Sequence, residues 1–248
     1  MPPLEGFIAM SEQSEHLVKS FDQDLKRLTD MLIRMGGIVE NQVALAADAI
    51  MERNADAAMR TVEEDVKVDA LEREVEQYVI RMLALRQPMA ADLRLVVAAL
   101  KITGDLERIG DYAANVAKRS IVLAQFPAPY ALGGLAHMAG LVQAQLKSII
   151  DALGSSDSDK ALEVWRSDRA VDDIYNTIFR ELITYMMEDP RNITPCTHLL
   201  FIAKNLERIG DHTTNIAETI YYTVKGEVLP DVRPKGDTSA YAVVRPKE

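Results

Sequence analysis

Apolar residues recur at three- and four-residue steps along most of this chain, and the steps are interrupted only at a few polar or proline-bearing breaks. Leu25, Leu28, Leu32 and Met35 form the first stripe and predict a helix from about His16 to Arg53. Asn54 and Asp56 supply N-cap chemistry for a second helix reaching about Arg86, with the stripe Val68, Leu71, Val75 and Met82. Gln87-Pro88 breaks the chain, and Pro88 is expected in the first turn of a third helix ending near Ala124. Beyond Phe126-Pro127-Ala128-Pro129, three more helices are predicted over about 131–153, 158–188 and 195–225, with breaks at Gly154-Ser155-Ser156 and Asp189-Pro190. Thr194-Pro195 would open the last helix with a cap and an N1 proline, and Lys225-Gly226 would close it.

The pattern is written twice. Leu106-Glu107-Arg108-Ile109-Gly110-Asp111 returns unchanged as Leu206-Glu207-Arg208-Ile209-Gly210-Asp211, an offset of 100 residues. Upstream the offset is 103: Met35-Gly36-Gly37-Ile38-Val39 matches Met138-Ala139-Gly140-Leu141-Val142, and Asp56, Asp65 and Asp69 match Asp159, Asp168 and Asp172. The copies cover roughly 15–124 and 130–226, and residues 227–248, with Pro230, Pro234 and Pro246 and no helical period, form an expected flexible tail. The expected fold is therefore all-α, two tandem homologous three-helix bundles packed antiparallel.

Composition agrees. Of 248 residues, 48% are apolar and only 6% aromatic, with 12 Gly and 10 Pro, a balance that favours helices over a β-sandwich or barrel. The net charge of −10 disfavours nonspecific nucleic-acid binding. Cys196 is the single cysteine, so neither an internal disulfide nor a cysteine-based zinc site is possible. The start, Met1-Pro2-Pro3-Leu4-Glu5, lacks the basic and apolar runs of a secretory signal. The longest stretch without Asp, Glu, Lys or Arg, Ser120 to Leu146, carries Pro127, Pro129, Gly133 and Gly134 and reads as a junction between helices rather than a membrane span. A soluble, cytoplasmic chain is expected, whose membrane role is peripheral or through a partner.

The candidate chemistry is acidic. Asp65 with Asp69, Glu107 with Asp111, Asp168 with Asp172 and Glu207 with Asp211 stand at i,i+4 spacing, on one face of their helices. On a wheel from Leu106 the stripe is Leu106, Ile109, Ala113 and Val116, and Glu107 and Asp111 fall broadly opposite, so these acids are expected to face away from the core. Each like-charge pair costs a helix about 0.2–0.5 kcal/mol, and the arrangement occurs on two helices of each copy. Side by side, those helices would gather four carboxylates, a set suited to hard cations such as Fe(III), Mn, Mg or Ca. Asn115 and Asn215 extend the polar rows and could add an oxygen. A plain solvated acidic face, or carboxylates held by Arg108 and Arg208, is the competing account. Gly110, Gly210 and Gly36-Gly37 would let a neighbouring helix approach closely.

The catalytic inventory is thin. The four histidines, His16, His137, His198 and His212, form no HExxH or Glu-x-x-His pair, and no Walker-type phosphate loop is present. Cys196 with His198 is expected to be an ordinary loop pair, and Trp165 a core residue. An enzyme is not expected.

The acid pairs, both LERIGD segments and the Met35-Gly36-Gly37 start together resemble the PhoU family over about 15–226. That resemblance implies a pair of three-helix bundles, often dimeric, with multinuclear iron or zinc clusters on the bundle surface. It implies a cytoplasmic negative regulator of the phosphate-starvation response, coupling the ATPase subunit of the phosphate ABC transporter to a membrane sensor histidine kinase. A metal-dependent phosphohydrolase, with the acid clusters as active sites, and a metal-free helical adaptor are the alternatives.

Overall fold

The computed structural model describes residues 5–127 and 132–229, with side chains described from Ser20 and from Gly133 onward in the two stretches. Residues 1–4 and 128–131, the latter including the end of the Phe126–Pro129 junction, and most of the expected tail lie outside them. Six α-helices follow in order: α1 (Glu5–Met51), α2 (Ala55–Arg86), α3 (Ala90–Leu123), α4 (Leu132–Ser155), α5 (Ser158–Glu188) and α6 (Ile193–Lys225). Among the described residues there is no strand.

The helix ends follow local chemistry. The Asn54 side chain caps α2 by accepting the Ala57 N–H at 3.0 Å, as its position predicts. Gly226, at φ +76°, closes α6 in the left-handed conformation, its N–H donating to the Tyr222 carbonyl at 2.8 Å. Arg53 reaches across to the end of α3, where its guanidinium donates to the carbonyls of Leu123 and Ala124 at 3.3 and 2.6 Å.

Four boundaries differ from expectation, the first being that α1 starts at Glu5 rather than near His16. Gln87 stands at φ +48° and Met89 is extended, so α3 starts at Ala90 and Pro88 lies before it instead of within its first turn. Gly154 and Ser155 stay helical; the break comes at Ser156 (φ +53°), and Asp157 caps α5 through the N–H groups of Asp159 and Lys160. A single 3-10 turn, Pro190–Asn192, leads directly into α6, capped by the Asp189 carboxylate on the Arg191 N–H. Thr194-Pro195 therefore sits inside the first turn of α6, where a missing N–H does no harm. Cys196 and His198 are likewise helical rather than in a loop, and burial pushes the Cys196 thiol pKa up.

Helices α1–α3 and α4–α6 form the two bundles, and they meet along α1 with α4 and, most extensively, α3 with α6. Both seams run antiparallel: on α3 and α6 Arg119 stacks over the Phe201 ring at 4.2 Å, while Asp105 Oδ1 lies 2.7 Å from His212 Nδ1. On α1 and α4 Gly36 lies under Ile150 and Gly154 under Ile33. A Cβ on Gly36 would collide with the Ile150 side chain, whereas Gly37 has open space, so only the first of the two glycines serves the close approach. Among the described residues, the outer helices α2 and α5 pack chiefly within their own bundles. One apolar core runs without interruption from Leu28, Met35 and Ile109 through Met138 and Ile149 to Leu199 and Ile220. Trp165 is part of it, its indole N–H donating to Glu218 Oε1 at 2.9 Å. Among the described residues no helix is long and apolar enough to cross a membrane.

Candidate functional site

Helices α2 and α3 bring Asp65, Asp69, Glu107 and Asp111 onto one half-buried face of the first bundle. Their proximity registers in their acidities. Burial raises the Asp65 carboxyl above its ordinary range, and the charges of Asp111 and Asp69 add to the rise against a hydrogen bond from Gln42. Burial likewise raises Glu107, helped by Asp111, Glu72 and Asp69 and opposed by Arg108. Glu72 is raised by burial and by Glu76 and Asp69. The charges of these acids thus act on one another across α2 and α3, and that of Glu72, a further turn along α2, acts with them. Arg108 is 59% exposed and only loosely paired, at 3.7 Å from Glu107 and 3.9 Å from Asp111, too weak a partner to account for the whole cluster.

Beneath these acids lies a residue that the sequence reading passed over. Gln42 of α1 is fully buried; its amide donates to the Thr61 carbonyl at 3.3 Å and, at 3.5 Å, to Asp65 Oδ1. Its Oε1 is buried with no hydrogen-bond partner. That oxygen stands 2.9 Å from where a Gly110 Cβ would be, so the LERIGD glycine makes room for a carboxamide as well as for a helix. The signal was present: Gln42 occupies a position of the α1 apolar stripe, seven residues after Met35, and Gln145 occupies the same place in the second copy.

The second copy departs from the expectation that the acids face outward. Asp168, Asp172 and Glu207 are 2%, 3% and 5% exposed, enclosed between α5 and α6. A wheel drawn on one helix cannot register a neighbour that covers the polar side, and here α6 does so with polar groups. The Thr214 hydroxyl donates to Asp168 Oδ1 at 3.1 Å, and Lys204 Nζ donates to Glu207 Oε1 at 2.8 Å while lying 4.9 Å from the centre of the Tyr175 ring. Asp211 remains half-buried. Asn115 is exposed, and Asn215 donates to Asp105 across the α3–α6 seam at 3.3 Å. Arg208 stacks over Tyr112 at 5.5 Å.

Among the described residues, no group of three Asp, Glu, His or Cys side chains is drawn together tightly enough to form a ready-made metal cage. In donor type and charge the first cluster nevertheless fits a hard cation: several carboxylates crowd one another, and a buried amide oxygen beside them lacks a donor. Holding an ion would require half-exposed Glu107 and Asp111 to turn inward.

The raised acidities carry a sign. Asp65, Glu72 and Glu107 bind protons more tightly folded than unfolded, so folding loses stability as pH rises from the ordinary carboxylate range, about 4, through their raised values. The double variant D65N/E107Q is therefore expected to melt at a higher temperature than the parent at pH 7, with the difference shrinking towards pH 4.5. A lower melting temperature at pH 7 would show the carboxylates to be structural partners instead.

A family model described as the PhoU domain matches this chain twice, over residues 32–120 and 135–220. The phosphate-specific transport system accessory protein PhoU homolog of Caulobacter vibrioides is 52% identical over 225 residues, covering 90% of this chain and 98% of that protein. The homolog of the same name from Rhizobium meliloti is 46% identical over 226 residues, covering 91% and 95%. The crystal structure of PhoU from Pseudomonas aeruginosa superposes with a TM-score of 0.82 at 40% identity, covering 84% of this chain and 100% of that one. With both copies matched and whole-length relatives at these identities, the chain belongs to the PhoU family.

Proposed function

We propose that this chain is the accessory protein of a phosphate-specific transport system, restraining phosphate uptake and the phosphate-starvation response when phosphate is plentiful. The observation that carries this reading is the 52% identity with the Caulobacter homolog along 98% of that protein's length, both acid-bearing copies included. In this role the chain works in the cytoplasm and joins the transporter's ATPase subunit to a sensor histidine kinase through the faces of its bundles. Asp65, Asp69, Glu107 and Asp111, with Gln42 behind them, would hold a metal ion, iron, zinc or manganese, and Asp168, Asp172, Glu207 and Asp211 are the corresponding set. A bound cation supplies positive charge that offsets the carboxylate repulsion. Within the chain, Gln42 orients Asp65 from below, and Arg108 stands loosely beside Glu107 and Asp111 at the rim.

The test is genetic and biochemical together. Deleting the gene should derepress a phosphate-starvation reporter in high phosphate, and the intact chain should restore repression. The chain isolated from high-phosphate cells should bring the transporter ATPase and the kinase with it. A reporter that stays silent in the deletion strain would refute the regulatory reading.

A further inference from the structure

The seam between α3 and α6 closes differently at its two ends. Where α6 begins, the Arg119 guanidinium lies 4.2 Å over the Phe201 ring and spans the two helices. At the opposite end, where α3 begins and α6 finishes, the equivalent positions hold Thr219 and Lys101. A groove of about 560 Å³ opens there instead. Its walls are largely apolar: Leu93 and Val97 of α3, Tyr222 of α6 and Val228 beyond it are 41%, 42%, 40% and 77% exposed. We propose that the segment Ala240–Val244 of this chain's own tail folds back and lies in this groove, covering the apolar end of the seam.

The path of the chain points there. Gly226 turns it out of α6 in the left-handed conformation. The Arg94 guanidinium of α3 lies 3.5–3.8 Å from the place a Gly226 Cβ would occupy, so this turn is held against α3. Val228 is itself part of the groove wall, and Leu229 packs against the core. Residues 230–248 therefore leave from the edge of the groove. Apart from Val232 their apolar residues stand in one run, Ala240-Tyr241-Ala242-Val243-Val244. Extended, that run covers about 17 Å, and the α3 wall from Ala90 to Lys101 rises about 16 Å. Residues 230–239 between them can reach at most about 35 Å, enough to lay the run along the groove in either direction.

The energetics favour a tethered occupant over a separate one. Covering exposed leucine, valine and tyrosine with a tyrosine and two valines removes apolar surface from water on both sides. Closing so short a linker loses little chain entropy, whereas an unattached peptide would give up its free translation and rotation to bind. The charges at the borders are matched in kind. Arg94, whose Nε is buried without an acceptor, and exposed Lys101 stand at the groove with Glu218. The run is bordered by Asp237, three residues before it, and Arg245, directly after it.

Two full-length variants test this, V97D in the groove and Y241S/V243S/V244S in the tail. Chymotryptic cleavage after Tyr241, followed by mass spectrometry, should be at least five times slower in the parent than in V97D. Hydrogen exchange of the α3 amides from Ala91 to Val97 should be slower in the parent than in the tail variant, with α4 unchanged between them. The tail variant leaves every bundle residue in place, so the exchange measurement holds even if V97D folds poorly. Cleavage equally fast in parent and V97D, or α3 exchange unaltered by the tail substitutions, would overturn the proposal. Both protections should be independent of protein concentration; protection that disappears on dilution would assign the groove to the tail of a second copy and overturn the proposal as well.

Discussion

Replacing Leu106 by alanine is expected to destabilise the chain by about 2–5 kcal/mol, the range for emptying a leucine site in a packed core. Leu106 is fully buried on α3, the helix that packs against both partners of its own bundle and against α6 across the seam. Little around it can collapse into the space, because three neighbouring helices already hold one another at fixed separation. Chemical denaturation followed by circular dichroism measures the loss. Trp165, the only tryptophan, sits 4% exposed in the other bundle and supplies a second signal by fluorescence. With one core running through both bundles, the two signals should shift to lower denaturant together. A loss below about 1 kcal/mol, or a fluorescence transition left in place, would mean that α3 is less tightly constrained than its burial implies.

Substituting Gly110 by leucine should be nearly as damaging, about 2–3 kcal/mol, the upper part of the range for overpacking. Its first carbon alone would approach Gln42 Oε1 to 2.9 Å, and the rest would have to displace Gln42, Val68 or Asp65. The counterpart in the second copy should behave differently. A Cβ on Gly210 meets Val171 at 3.5 Å and Gln145 Oε1 at 3.7 Å, ordinary contact distances. Gly210→Ala is therefore expected to gain up to about 1 kcal/mol from helix propensity alone, whereas Gly110→Ala is not. Thermal melts of the three variants decide it. Equal behaviour of the two alanine variants would show that Gln42 moves aside at no cost.

Much of this molecule was legible before any coordinates. The apolar periodicity located six helices, and the duplication gave the division into two bundles, because both depend on local order along one chain. The capping residue Asn54 and the closing Gly226 were readable for the same reason. The starts of α3 and α6 were not: a proline fixes only its own φ, and left-handed Gln87 and the 3-10 turn after Asp189 moved each start by two residues. The acid pairs were found by spacing, but their depth was not. Asp65 and Asp168 occupy equivalent positions, but their partners differ: Gln42 donates to Asp65, whereas Gln145 turns to Ser167 and Thr214, in the place of Ala114, donates to Asp168. Gln42 was missed because a single polar residue in an apolar stripe is easily passed over as a surface position; its fully buried side chain gives it meaning.

The uninterrupted interior has a thermodynamic consequence. If one bundle melted, its partner would lose the cover on α1 and α3, or on α4 and α6, and would expose apolar seam to water. Folding is thus cooperative across the duplication, and an order–disorder transition confined to one half is a poor way for this chain to carry a message. The two outermost rods, α2 and α5, pack chiefly within their own halves, and each carries half of a carboxylate set.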